Sequence, residues 1–142
     1  MAKKKVFISF DYDEDKSYYY LMKAWDANSN FEFVFSDYTS KEINSDDVAT
    51  VKRALSRKIG NATYTLVIIG KYANKEHEDS EEIGYTNWQN YEVAKSVERG
   101  NKLVGVKIKS TYSAPTEMIG VGTSWASRFT QDKIIAALNE AK

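Results

Sequence analysis

The 142-residue sequence has no cysteine, one proline (Pro115) and one histidine (His77). Without cysteine there is no disulfide and no thiolate for a zinc or iron–sulfur site, and a reducing compartment suits the chain. A lone histidine in an acidic stretch, "EHEDSEE", supplies no transition-metal centre, so no metal site is expected. A single proline leaves no Pro-rich linker, and neither an internal repeat nor a break in composition divides the chain. One domain over residues 1–142, large enough for a real core, is the expectation. Charge of one sign is missing too: 20 Lys and Arg balance 20 Asp and Glu. That balance disfavours a duplex nucleic-acid binder, whose affinity would rest on a basic surface. Long hydrophobic runs are absent. The start, "MAKKKVFISF", offers only Val6 to Phe10, too short for a signal peptide or a membrane span. A cytoplasmic protein that engages neither nucleic acid nor membrane is expected. The phosphate loop G-x-x-x-x-G-K-[ST], the fingerprint G-x-G-x-x-G and the elbow G-x-S-x-G are missing as well.

What is present is an alternation of strand and helix signals. "VFISF" (6–10), "FEFVFS" (31–36), "YTLVIIG" (64–70) and "KLVGVKI" (102–108) are apolar runs rich in strand formers, with room for one short edge strand between 110 and 128. Between them, Tyr18, Leu21, Met22 and Trp25 recur at helical spacing, with the Tyr18–Tyr19–Tyr20 run placing one ring inside and one outside. Val48, Val51, Leu55 and Ile59 form a second stripe, capped by Ser45 and closed at Gly60-Asn61. A third helix follows, with Thr86 and Gln89 as a capping box, Val93, Ala94 and Val97 as its apolar face and Gly100 as its stop. The last helix has Thr130 as cap, a Phe129–Ile134 staple and a stripe of Ile134, Ile135 and Leu138. Such alternation implies α/β architecture, a flavodoxin-like, doubly wound parallel sheet in three layers, because right-handed crossovers put helices on both faces. Ligands of that architecture bind beyond the carboxyl ends of the strands.

Two stretches at those ends invite a chemical reading. Asp11, Asp13 and Asp15 stand where a receiver domain would hold magnesium, yet the third strand ends Ile69-Gly70-Lys71 without a phosphorylatable aspartate, so a helix-capping acidic turn is the better reading. Glu92 lies four residues after Trp88, on the same helical face, just after the long polar stretch 71–85. That stretch exceeds an ordinary connection and is read as either functional or mobile. Two readings of Glu92 stand side by side: a surface glutamate paired with Lys95, or a carboxylate beside an aromatic wall, able to stabilise a cationic transition state.

Four segments, "KKVFISFDYDEDK", "FSDYTS", "TLVIIGKY" and "NWQNYEVAKSVERGNKLVGVKI", occur in the order in which they resemble the TIR-like family, and within it the ThsB proteins of bacterial Thoeris anti-phage defence. The resemblance runs from about Lys4 to Ile108 and is weakest beyond Lys109. It implies a bacterial enzyme that breaks the nicotinamide–ribose bond of NAD⁺, with NAD as substrate rather than cofactor. The ADP-ribosyl part would become a cyclic or conjugated signalling nucleotide, read by a separate effector protein, with self-association of the enzyme. The family's catalytic glutamate falls on Glu92; Ser9, Phe10 and Tyr12 would line the substrate site, Asp37 and Tyr38 would contact it, and Trp88 would wall it. The alternative is a non-catalytic TIR-like interaction module.

Overall fold

The computed structural model describes residues 4–26, 33–35 and 47–141, apart from the side chains of residues 12, 13 and 26. Five strands form one sheet: β1 (Lys4–Ser9), β2 (Phe33–Phe35), β3 (Tyr64–Ile69), β4 (Lys102–Lys107) and β5 (Ser124–Ala126). Their order is β2-β1-β3-β4-β5 and every described pairing is parallel. Among the described residues five α-helices connect and flank them: α1 (Tyr12–Asp26), α2 (Val48–Gly60), the short α3 (Ser80–Ile83), α4 (Trp88–Arg99) and α5 (Gln131–Glu140). The doubly wound α/β fold read from the sequence is the fold of the chain, and β5 is its short edge strand.

The strands sort their side chains by parity, as pleating requires. Val6, Ile8, Leu66, Ile68, Val104 and Val106 meet Tyr19 and Met22 of α1 and Ile134, Ala137 and Leu138 of α5. Phe7, Val67, Ile69 and Leu103 point to the other face, under α2, α3 and α4. All six residues of β3 are buried, which accounts for its continuous apolar sequence. The sheet changes winding direction between β1 and β3, the place where α1 and α4 approach the strand ends from opposite faces.

Local signals explain most elements. The α2 stripe of Val48, Val51, Leu55 and Ile59 is buried as a unit. Its cap is Asp47, whose side chain accepts from Thr50 N; the cap expected at Ser45 and the ends of the 31–36 strand lie outside the described residues. Thr130 caps α5, and Phe129 packs with Ile134 in one cluster. In α1, Tyr19 is buried and Tyr20 exposed, while Leu21, expected inside, is 46 % exposed because Tyr19 and Met22 take the inward positions. Among the described residues no helix is long and apolar enough to cross a membrane.

Candidate active site

The site is built from the first two turns of α4 and the ends of β1 and β3. Asn87 caps the helix: its Oδ1 accepts the Asn90 N–H at 3.0 Å, and its Nδ2 donates to Ala73 O and Lys75 O at 2.9 Å each. The capping box expected at Thr86 and Gln89 is therefore displaced by one residue, since Asn87 reaches the free N–H and ties down the preceding loop at once. Gln89, released from capping, turns toward the sheet. Its Nε2 donates to Ile68 O at 2.8 Å and Ser9 O at 3.2 Å, clipping the ends of β3 and β1 to the helix.

Glu92 lies in the next turn. Its Oε1 accepts the Ser9 hydroxyl at 2.7 Å, and only 3 % of the residue is exposed. Burial pushes the Glu92 carboxyl up to about 8, with the Ser9 hydrogen bond pulling the other way. Lys95 pairs instead with Glu98 at 3.0 Å, so the surface-pair reading of Glu92 does not hold. One turn later Ser96 Oγ donates to Glu92 O at 2.7 Å and meets Thr65 Oγ1 at 2.7 Å. A hydroxyl has one proton, so Thr65 donates to Ser96 and accepts in turn from Asn101 Nδ2 at 3.2 Å. The helix stops at Gly100, whose φ of 79° suits a residue without Cβ. The inward face of α4 is thus Gln89, Glu92, Val93 and Ser96, not the expected Val93, Ala94 and Val97; Val97 is 40 % exposed.

The remaining sequence candidates fall in different places. Ser9 is fully buried and holds Glu92 directly. Phe10 stacks on Tyr19 with ring centroids 4.7 Å apart, in the layer beneath α1 and on the face opposite Ser9 Oγ. Trp88 is half-buried and meets Tyr91 edge-on at 5.6 Å and His77 at 6.4 Å, against the cluster that also holds Ile83. Asp37, Tyr38 and the Tyr12 side chain lie outside the description. The loop after β3 is neither structureless nor unattached. It contains α3, His77 N–H donates to Thr86 O at 2.7 Å, and Asn74 Nδ2 donates to Ser113 O at 3.1 Å. It buttresses the start of α4.

Asp15, read from sequence as part of a capping turn, is inside α1, with its own N–H bonded to Asp11 O at 2.8 Å. The residue is 6 % exposed, and its carboxyl is raised to about 6, chiefly by burial and then by Asp11 and Glu14. Sequence reasoning missed Gln89, Ser96 and Asn87. One signal could have found the first two: positions 89, 92 and 96 share a helical face on which Val93 is the sole aliphatic residue. Among the described residues, no group of three or more His, Asp or Glu side chains is placed to hold a metal ion. Chemically, the arrangement offers a carboxyl kept neutral by burial. A cation placed against it would favour ionisation, and the resulting carboxylate would act with little water to screen it.

Comparison with known proteins bears on the family and the fold. A family model described as "Thoeris protein ThsB, TIR-like domain" matches residues 7–113. A Bacillus cereus protein named "Putative cyclic ADP-D-ribose synthase ThsB1" is 26 % identical over 111 residues, covering 75 % of this chain and 53 % of the relative. The chain thus spans about half the length of that curated relative. Among solved structures, a prokaryotic SEFIR domain is similar over 97 % of this chain and 95 % of its own, with TM-score 0.50 and 18 % identity. A 2-desoxiribosyltransferase from Leishmania mexicana is similar over 75 % of this chain and 65 % of its own, with TM-score 0.51 and 11 % identity. At those identities the two structures speak for the fold.

Proposed function

The chain belongs to the ThsB TIR-like family, and from that premise we propose that it cleaves the nicotinamide–ribose bond of NAD⁺ and passes the ADP-ribosyl group into a cyclic or conjugated signalling nucleotide for anti-phage defence. The observation that carries the proposal is the Glu92 carboxyl, buried at the end of β1 and held by the Ser9 hydroxyl at 2.7 Å. The name of the Bacillus cereus relative, "Putative cyclic ADP-D-ribose synthase ThsB1", supports the same reading.

When the C–N bond breaks, nitrogen keeps the electron pair and nicotinamide leaves neutral. Positive charge develops on the ribose ring instead, and a carboxylate beside it stabilises that charge. Glu92 meets the requirement in two stages. Its environment favours the neutral form until the cationic nicotinamide riboside arrives, whose charge favours loss of the proton. Ser9, Gln89 and Ser96 keep the carboxyl in place, so little reorganisation is needed in the transition state. The half-buried Trp88 offers an aromatic edge one turn ahead. An effector protein would read the nucleotide product, and self-association of the enzyme would accompany activity.

The test is NAD⁺ loss and product mass in lysates of phage-challenged cells expressing wild type or Glu92→Gln. Loss of NAD⁺ with a new ADP-ribose-derived nucleotide, both abolished by the substitution, is expected. Unchanged NAD⁺ in both lysates, with defence intact in Glu92→Gln, would replace the enzyme with a non-catalytic interaction module.

A further inference from the structure

The ends of β1 and β3 are flanked by a second buried carboxyl. Asp15 reaches the end of β3 from α1, on the face opposite Glu92. Its Oδ2 is buried and has no hydrogen-bond partner. It lies so close to Gly70 that a Cβ built there would stand 2.0 Å from it, so only glycine admits the carboxyl at that place. A buried carboxylate oxygen without a donor is costly, and folded proteins seldom keep one without a use. Capping is not the use of this oxygen, because Asp15 lies one turn inside α1 and its Oδ2 accepts no backbone N–H.

We propose that Asp15 is the base of this site, taking the proton of the hydroxyl that replaces nicotinamide on the ribose carbon. The inference rests on the NAD⁺-cleaving reading of Glu92. Position is the first argument. Ser9, which holds Glu92, pairs in register with Val67, and Gly70 lies three residues further along the chain. Both carboxyls therefore stand at the carboxyl ends of neighbouring strands, Glu92 against Ser9 of β1 and Asp15 against Gly70 just past β3, where this architecture binds its ligands. An acceptor hydroxyl held there would meet Asp15 on the side of the sugar away from Glu92.

Proton affinity is the second argument. Asp15 is raised to about 6 and Glu92 to about 8, so near neutral pH Asp15 is the carboxyl that is ionised in the free protein. Asp15 can therefore take a proton, while Glu92, ionised once the nicotinamide cation is bound, stabilises the ribosyl charge. The step balances. The C–N bond breaks with its electron pair on nicotinamide, a C–O bond forms to the acceptor oxygen, and the acceptor proton passes to Asp15. Water can trap the ribosyl cation without a base. A bound hydroxyl competes with water only when it is oriented and relieved of its proton.

The experiment supplies NAD⁺ to the full chain and reads nicotinamide release together with the ratio of hydroxyl-transfer product to ADP-ribose. Asp15→Asn is close to isosteric and removes the base. Gly70→Ala keeps the base but pushes it away, and serves as the second variant if the first folds poorly. The expected result is nicotinamide release within about tenfold of wild type, with the product ratio lowered at least tenfold in either variant. Release with an unchanged ratio in both variants overturns the role of Asp15 and leaves that of Glu92 standing. No release from the wild-type protein overturns both.

Discussion

Helices α2 and α4 lie side by side on the same face of the sheet, and they bury opposite kinds of surface. α2 presents Val48, Val51, Leu55 and Ile59, an aliphatic stripe with its polar residues turned outward. α4 buries Gln89, Glu92 and Ser96 beside Val93, with Tyr91 packed toward α2, and leaves Val97 40 % exposed. The first helix is held by apolar burial, which is non-directional and tolerant of small shifts. The second is held by hydrogen bonds, which fix distance and angle. A scaffold can rely on the former, whereas a carboxyl that must meet a developing charge needs the latter.

The largest expected effect separates the two helices outright. Glu92→Gln should lower NAD⁺ cleavage by at least about 10²-fold, in line with loss of a charge aimed at a transition state. The same change removes a carboxyl that is costly to bury, so its thermal midpoint near neutral pH should rise. Leu55→Ala in α2 should do the reverse. It should cost about 2–5 kcal/mol of stability through the cavity it leaves, with activity per folded molecule unchanged. Thermal denaturation beside an NAD⁺ assay reads both. A Glu92→Gln protein that is both active and less stable would erase the contrast between the helices.

Acid–base behaviour gives the next effect. A carboxyl raised from 4.5 to about 8 binds its proton more tightly in the folded than in the unfolded chain. Between those values the folded state carries the extra proton, so stability falls as pH rises, by up to about 1.4 kcal/mol per unit for one proton. Asp15, raised from 3.8 to about 6, adds the same sign over a lower window. Wild type should therefore lose thermal stability steadily from pH 5 to 8, and Glu92→Gln should flatten the upper part of that slope. In the assay, kcat/KM should climb toward pH 8, because it reports the free enzyme. The limb on kcat should lie lower, because bound nicotinamide cation favours the carboxylate. Ser9→Ala, which removes the bond that lowers the Glu92 carboxyl, should move the kcat/KM limb upward.

The same contrast explains what could be read from the sequence. The strands, their parallel order and α2 follow from apolar periodicity and caps that act within a few residues. Glu92 was legible as a candidate through its spacing from Trp88 and through family resemblance, but its burial was not: a glutamate one turn from Lys95 and Lys-rich surface positions looks solvated. Gln89 was misplaced for a definite reason. Thr86-x-x-Gln89 satisfies a capping pattern, and nothing local says that Asn87 will take the cap because Ala73 O and Lys75 O lie within reach of its amide. Ser96 and Thr65 meet across 31 positions of chain, and Asp15 meets Gly70 across a strand. Polar contacts of that range are set by tertiary packing, which periodicity does not encode. Phe10 shows the converse. It adjoins Ser9 in sequence, yet its ring lies in the α1 layer, on the side from which Asp15 rather than Glu92 reaches the strand ends.

Smaller effects sharpen the comparison. Gln89→Leu preserves much of the volume but strands Ile68 O and Ser9 O without their donor, at about 1–3 kcal/mol. Because Ser9 also holds Glu92, cleavage should fall with stability. An equivalent loss of stability by Ile59→Val in α2, typically about 0.5–1.5 kcal/mol, should leave turnover alone.

The smallest contrast lies in the caps. Asp47 caps α2 at an exposed end through Thr50 N and Thr50 Oγ1. Asn87 caps α4 and, with the same amide, anchors the loop at Ala73 and Lys75. Asn87→Ala should therefore shift the thermal midpoint more than Asp47→Ala, within the roughly 0.5–2 kcal/mol usual for lost caps. It should also speed hydrogen exchange at His77 N–H, which closes that loop on Thr86 O. Equal shifts from the two caps, with exchange at His77 unchanged, would mean that α4 holds its first turn by Gln89 and Glu92 alone. The loop would then be a passenger on the helix rather than its buttress.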